Sequence, residues 1–329
     1  MNLLADCHLH FEGCLPIETV ERLARSSGHL FADRLVFESR RSGVRDPPGF
    51  LSLYAELCRL FRGPEDYALA ARDVAAQLSR QGVAYAEIYV SPEILRRMGL
   101  DPAVCLSAID DGFRSGAFHC RILLDAVRQW GPEAADRVLD LYEKTAPSSV
   151  VGFGVGGDEN ALPAASFAGV YARARALGLK TSVHAGEWGG PDSVREALDS
   201  LRPDRLDHGI AAALDDQLLE RLADEHTVLC VAPSGNRITG ALARFGEHPL
   251  PRLLEAGVRV ALSADDPLLF ATSTAGEYHL AARQLGLSEE WLRRIAENSW
   301  RAAFCSPQER ETGLASLREW QLPSTLSDH

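Results

Sequence analysis

Short apolar runs alternate with amphipathic stretches along almost the whole chain. Leu3 to His10 reads as a buried strand, broken by Gly13 and Pro16. Ile17, Val20, Leu23 and Ala24 then recur with helical spacing. From Ser26 to about Gly63 the pattern loosens. Arg40-Arg41-Ser42-Gly43 and Asp46-Pro47-Pro48-Gly49 carry loop chemistry, and Phe50, Leu53, Tyr54, Leu57, Leu60 and Phe61 form one helical face. After that excursion the alternation is regular. The predicted strands are Val83 to Val90, Phe118 to Ala126, Val150 to Val155, Leu179 to His184, Arg205 to His208, Thr227 to Ala232 and Val258 to Ser263. Helical patterns over 64–81, 100–115, 133–144, 166–177, 191–201, 214–223 and 249–256 separate them, and 274–306 is helical with a break at Gly286 and Ser288. Eight strands alternating with helices predict an α/β fold of the TIM (β/α)8 barrel type, a parallel barrel. The segment 26–63 is a helical insertion after the first strand, either a lid over the barrel mouth or a peripheral packing element.

Length fits that architecture: 329 residues, 46% of them hydrophobic, can form one barrel domain spanning 1–329, and no linker or repeat divides the chain. The formal net charge of −12 argues against nucleic-acid binding by broad phosphate neutralisation, and against neither a base nor a nucleoside as substrate. Seven scattered cysteines without a C-x-x-C pair indicate neither a disulfide framework nor a thiolate zinc site, and fit a reducing, cytoplasmic setting. The first residues lack a basic region and a long apolar run, so no leader or membrane span is expected.

The polar motifs fall where strands end. His8 and His10 are two residues apart, so on a strand both imidazoles face one space. His184-Ala185-Gly186-Glu187, Asp207-His208-Gly209 and Ser263-Ala264-Asp265-Asp266-Pro267 close three later strands. In barrels of this kind the chemistry sits at the C-terminal strand ends. Three imidazoles and a carboxylate from His8, His10, His184 and Asp265 suit a divalent cation such as zinc with one position left for water. Each residue also has a plainer reading. His184 can finish a strand, Asp265-Asp266-Pro267 can form a turn, Glu187 can sit at a helix N-terminus, and His208 can be a packed histidine. Taken together, the inventory supports metal-assisted hydrolysis, with Glu187 as acid and His208 as base, and names no substrate.

These four motifs, in this order, resemble the adenosine deaminase family of the amidohydrolases. The resemblance extends to Tyr85-x-Glu87…Ser91-Pro92, Gly156-Gly157-Asp158-Glu159 and Asn298-Ser299…Phe304, and so covers essentially the whole chain. It implies one Zn2+ bound by His8, His10, His184 and Asp265. His208 would orient or deprotonate the attacking water, and Glu187 would protonate N1 of a 6-aminopurine. Asp266 would contact N7 and the attacking oxygen, the Gly157 backbone would meet N3, and 26–63 would be the family's lid. The implied reaction is hydrolytic deamination of a purine, with adenosine or an adenosine-like nucleoside first, and adenine or 6-aminodeoxyfutalosine as the alternatives. A barrel that binds purine without turnover would have lost a ligand or an acid–base residue, and all are present. Binuclear relatives need a lysine at the fourth strand's end, where neither Lys144 nor Lys180 falls. The H-x-E and P-C-x-x-C signature of the other zinc deaminases does not occur. Four stretches depart from the adenosine-specific pattern: Glu12 for aspartate, Gly154 for aspartate, Tyr89 for arginine, and Ser234-Gly235-Asn236 for Thr-Ser-Asn. They bear on recognition at N9. Oligomeric state has no signature in the sequence.

Overall fold

The computed structural model describes residues 3–115 and 119–320. Eight strands form one parallel sheet in sequential order: β1 (Leu4–His10), β2 (Val83–Val90), β3 (His119–Val127), β4 (Val150–Gly156), β5 (Lys180–Ala185), β6 (Arg205–His208), β7 (Val228–Val231) and β8 (Arg259–Leu262). Phe118, expected to open the third strand, lies outside the described residues. The first and last strands meet through a parallel bridge between Leu9 and Asp265, where His10 N–H donates to the Asp265 carbonyl at 3.0 Å. The sheet therefore closes as a (β/α)8 barrel, with the closing contact made by two of the expected metal-site residues. Continuous apolar runs such as Val-Leu-Cys-Val in β7 are buried throughout, as strands covered on both faces require.

A buried polar cluster ties the two ends of the chain to the barrel. Arg205 on β6 and Glu87 on β2 pair at 2.5 Å, both fully buried. The Tyr85 hydroxyl donates to Glu87 at 2.8 Å, and Arg205 donates to the Cys7 carbonyl at 2.6 Å. Arg205 also stacks 4.0 Å over Phe304, beyond the helix Glu289–Ala302. The direct pairing of the two opposite charges is what makes them tolerable in the interior.

The structure adds short helices where the sequence reading expects strand ends or loops. Asp46-Pro47-Pro48-Gly49 is the cap and first turn of the helix Pro47–Cys58, with the Asp46 carboxylate accepting from Gly49 N–H at 2.8 Å. Pro92–Arg97, Pro233–Ile238, Pro267–Phe270 and Pro307–Ser316 likewise open on proline. Proline breaks a helix interior but fits its first turn, where its missing N–H has no partner to lose. Arg40 to Ser42 also belong to a helix, Arg34–Ser42, capped by the Asp33 side chain. It is mostly exposed and buries only Phe37, so it carries little apolar periodicity to read.

Candidate metal centre and active-site cavity

His8 and His10 end β1, His184 stands near the end of β5, and Asp265 follows β8. The fold brings all four side chains to one point. His8 Nε2 is 3.0 Å and His10 Nε2 3.2 Å from His184 Nε2, and these two nitrogens lie 3.5 and 3.3 Å from Asp265 Oδ1. Separations of this size are the edges of a tetrahedron whose centre is about 2.0–2.1 Å from each donor, the zinc–nitrogen and zinc–carboxylate distance. Hydrogen bonding alone does not explain the cluster, because one nitrogen of His184 faces two others and a single proton serves one contact. Burial, and after it the neighbouring His184, holds the His8 imidazole far below its ordinary pKa, and the same two causes push His10 down to about 3. Both rings are therefore neutral and offer lone pairs. The donor set fits a single divalent cation.

The residues behind these donors are arranged to aim them. The Asp207 carboxylate lies 3.9 Å from His8 Nδ1 and 3.6 Å from His184 Nδ1, and accepts from the Tyr89 hydroxyl at 2.5 Å and Ser182 Oγ at 2.9 Å. A carboxylate on the Nδ1 side favours the tautomer whose Nε2 is free to bind metal. Asp6 joins β1 to the segment after β8, accepting from Ser263 Oγ and Thr274 Oγ1 at 2.7 Å each and from Ala264 N–H at 3.0 Å. Asp265 and His208 both take left-handed backbone conformations, φ 59° and 63°. Such conformations cost energy for residues with a side chain and collect at functional sites.

Glu187, His208 and Asp266 surround the same point. His208 Nε2 lies 3.4 Å from Glu187 Oε2 and 4.0 Å from Asp265 Oδ2. Glu187 is 7% exposed and accepts from Thr239 Oγ1 at 3.1 Å. Burial first, then the charges of Asp265 and Glu159, push its carboxyl well above the ordinary glutamate range, which suits a proton donor. Asp266 packs against the bare α-carbon of Gly13, where any side chain would overlap its carboxylate. Glu159 supports the Glu187 loop. Its carboxylate accepts from Glu187, Trp188 and Gly189 N–H at 3.0, 2.7 and 2.9 Å, and from Gly186 N–H and Ser193 Oγ as well.

These groups open into a cavity of about 320 Å³. His10, His184, Glu187, His208, Asp265 and Asp266 line its inner end, with Gly157 and Asp125 on the wall. Phe50, Leu51, Tyr54, Ala55, Cys58 and Arg59, from the insertion after β1, close one side. Glu12 is only 4% exposed and stands behind this surface, accepting from the Tyr54 hydroxyl at 2.6 Å. Tyr54 is thus the group through which Glu12 reaches the cavity. Gly154 and Tyr89 are two halves of one feature: a side chain at 154 would come within 2.7 Å of the Tyr89 ring, which also stacks on His10. Both lie in the barrel interior and not along the cavity, where Tyr89 packs on His10 and donates to Asp207. Asp125 and Thr239 carry no signal in the sequence: Asp125 is embedded in an apolar strand, and Thr239 follows the short helix Pro233–Ile238.

A parallel barrel with three imidazoles and a carboxylate converging from β1, β5 and the end of β8 is the architecture of the amidohydrolases, and these four side chains form a candidate metal site. Lys144 lies in the helix Gly131–Thr145, and Lys180 opens β5 at the opposite end of the strand, paired to Asp204. The family model described as adenosine deaminase matches residues 4–320, and the chain belongs to that family. It is a hydrolytic deaminase. The chain is 37% identical over 325 residues to an adenine deaminase of Chelativorans sp. (strain BNC1), covering 97% of this chain and 98% of that one. An adenine deaminase of Sinorhizobium medicae is 36% identical over 317 residues, covering 95% and 97%. Among solved structures, adenine deaminase from Arthrobacter aurescens superposes with a TM-score of 0.91 at 27% identity, covering 97% and 99%. An amidohydrolase from Burkholderia ambifaria with bound Zn gives 0.88 at 25% identity, covering 96% and 89%.

Proposed function

We propose that this protein is an adenine deaminase that hydrolyses the 6-amino group of the free base to give hypoxanthine and ammonia. One observation carries the choice of base: end-to-end similarity, at 34–37% identity, to relatives named adenine deaminase. This reverses the order reached from sequence, where a nucleoside stood first. Glu12, the departure from the adenosine-specific pattern, supports the reversal. It reaches the cavity only through the hydroxyl of Tyr54, which lines the wall and donates to it.

The proposed metal ligands are His8, His10, His184 and Asp265, and the proposed ion is a single Zn2+. Such a cation supplies Lewis acidity and makes hydroxide available near neutral pH. The residues of the chain do the rest. Glu187, held neutral by burial, protonates the ring nitrogen next to C6 and makes that carbon electrophilic. His208 holds the attacking oxygen, and Asp266 contacts it together with N7. The Gly157 N–H meets N3, and the insertion 26–63 covers the bound base and excludes water. Seven free cysteines, six of them buried, suit the reducing cytoplasm. Among the described residues, no helix is long and apolar enough to cross a membrane.

The test is ammonia release, with zinc quantified, from adenine, adenosine, 2′-deoxyadenosine and 6-aminodeoxyfutalosine. Adenine is expected to be turned over with the highest kcat/KM. A nucleoside ahead of adenine would overturn the base assignment. Glu12→Asp is expected to change the ranking, and an unchanged ranking would place N9 readout elsewhere.

A further inference from the structure

His208 is connected away from the cavity to a chain of buried groups that ends on a backbone amide. Leu250 N–H donates to His248 Nδ1 at 3.1 Å. A backbone amide has only a hydrogen to offer, so this nitrogen of His248 is the acceptor and the proton of the neutral ring sits on Nε2. His248 Nε2 lies 3.4 Å from Asn236 Oδ1. The amide oxygen receives that proton, which leaves the amide NH2 to face the other way. Asn236 Nδ2 lies 3.2 Å from His208 Nδ1. An NH2 group donates only, so His208 Nδ1 is an acceptor. His248, Asn236 and His208 are all buried.

We infer that His248 and Asn236 are positioning residues that fix His208 in the tautomer carrying its proton on Nε2, the nitrogen facing Glu187 and Asp265. Each link follows from the one before, because the direction of the first hydrogen bond is not reversible. In the resting protein His208 then presents a donor to the cavity. It holds the attacking oxygen by donating to it, and has no free lone pair there with which to take the proton of the incoming water. The helix Leu250–Glu255 thereby sets the tautomer of a residue at the end of β6, through two side chains. The tautomer assignment stands on geometry alone; only its kinetic consequence rests on the deaminase reading.

The experiment is long-range 1H–15N correlation spectroscopy at neutral pH on the full chain carrying 15N-histidine, in metal-free and zinc-loaded forms. His208 is assigned by the signals lost in His208→Gln. The wild type is expected to show a protonated-type Nε2 and an unprotonated-type Nδ1. Asn236→Asp keeps the shape of the side chain but can only accept, and is expected to move the proton to Nδ1 and lower kcat tenfold or more with little change in KM. His248→Ala frees the amide to flip and is expected to give two His208 tautomers and a several-fold lower kcat. A wild-type His208 protonated on Nδ1 or on both nitrogens would overturn the inference. So would an unchanged His208 spectrum in Asn236→Asp, which settles the point even if His248→Ala does not fold. An inverted tautomer with unaltered kcat would overturn its role in turnover while leaving the deaminase reading intact.

Discussion

Glu187 illustrates how one carboxyl acquires a task from its surroundings. Its side chain is nearly enclosed, it faces His208, and its nearest charged neighbours are other carboxylates. Enclosure and the neighbouring carboxylates penalise the anion, so the group holds a proton at pH values where an exposed glutamate has lost it. Glu187→Gln is expected to retain the metal and lose about 10²–10⁴-fold in kcat, the usual worth of a positioned acid. Steady-state kinetics beside metal analysis checks this, and near wild-type turnover would remove Glu187 from the mechanism. Asp207 has a different task. It touches no cavity space and faces the rear nitrogens of two imidazoles. Asp207→Asn is expected to weaken metal binding by about 10–100-fold, read by competition with a chelator, since removing such a partner loosens the ring orientation. Unchanged affinity would show that packing alone orients His8 and His184.

Among the elements, the barrel strands behave as a set of matched layers. Gly154 on β4 and Tyr89 on β2 are not on neighbouring strands, yet they meet across the interior. The Tyr89 ring takes the volume that a side chain at 154 would need, and its hydroxyl is spent on Asp207. Gly154→Ala is expected to cost about 1–3 kcal/mol by overpacking. In a Tyr89→Leu background the cost is expected to shrink, and denaturant unfolding of the two single variants and the double variant measures the coupling. Strict additivity would mean that the two residues do not share this space. The insertion after β1 works at the same scale. Its helix Pro47–Cys58 supplies Phe50, Leu51, Tyr54, Ala55 and Cys58 to the cavity wall, which favours the lid reading of this segment over peripheral packing.

The molecule as a whole buries several carboxyls near one end of the barrel, and this links its stability to pH. Glu277 is fully buried and its carboxyl is pushed up to about 7 by that burial, against the hydrogen bonds from Ser234 N–H and Thr272 Oγ1. A carboxyl with a raised folded-state pKa binds more protons when folded than when unfolded. Its contribution therefore favours the folded state at low pH and is lost as pH rises from about 4.5 toward about 7. Glu277→Gln is expected to remove that downward slope from a plot of unfolding free energy against pH. An identical slope in the variant would assign it to other groups.

Much of this organisation was legible in the chain itself. Strand and helix alternation follows from local periodicity, and sequence reading placed every barrel strand close to its observed bounds. The metal-donor candidates were legible for a similar reason: histidine and aspartate at the ends of apolar runs stand out, and the barrel rule brings strand ends together. Short proline-led helices were not legible, since proline reads locally as a stop and only the surrounding packing shows that a helix starts there. Three-dimensional arrangement alone decided which residues stand behind the donors. Asp207 and Asn236 stand in the sequence only as parts of short motifs; their roles come from elements distant in sequence that place them against His8, His184 and His208. The same holds for Glu12, which local reading sets beside the substrate and packing sets behind Tyr54. Periodicity is a property of neighbours along the chain, whereas the direction of a hydrogen bond and the volume left by a glycine depend on what the fold brings to them from elsewhere.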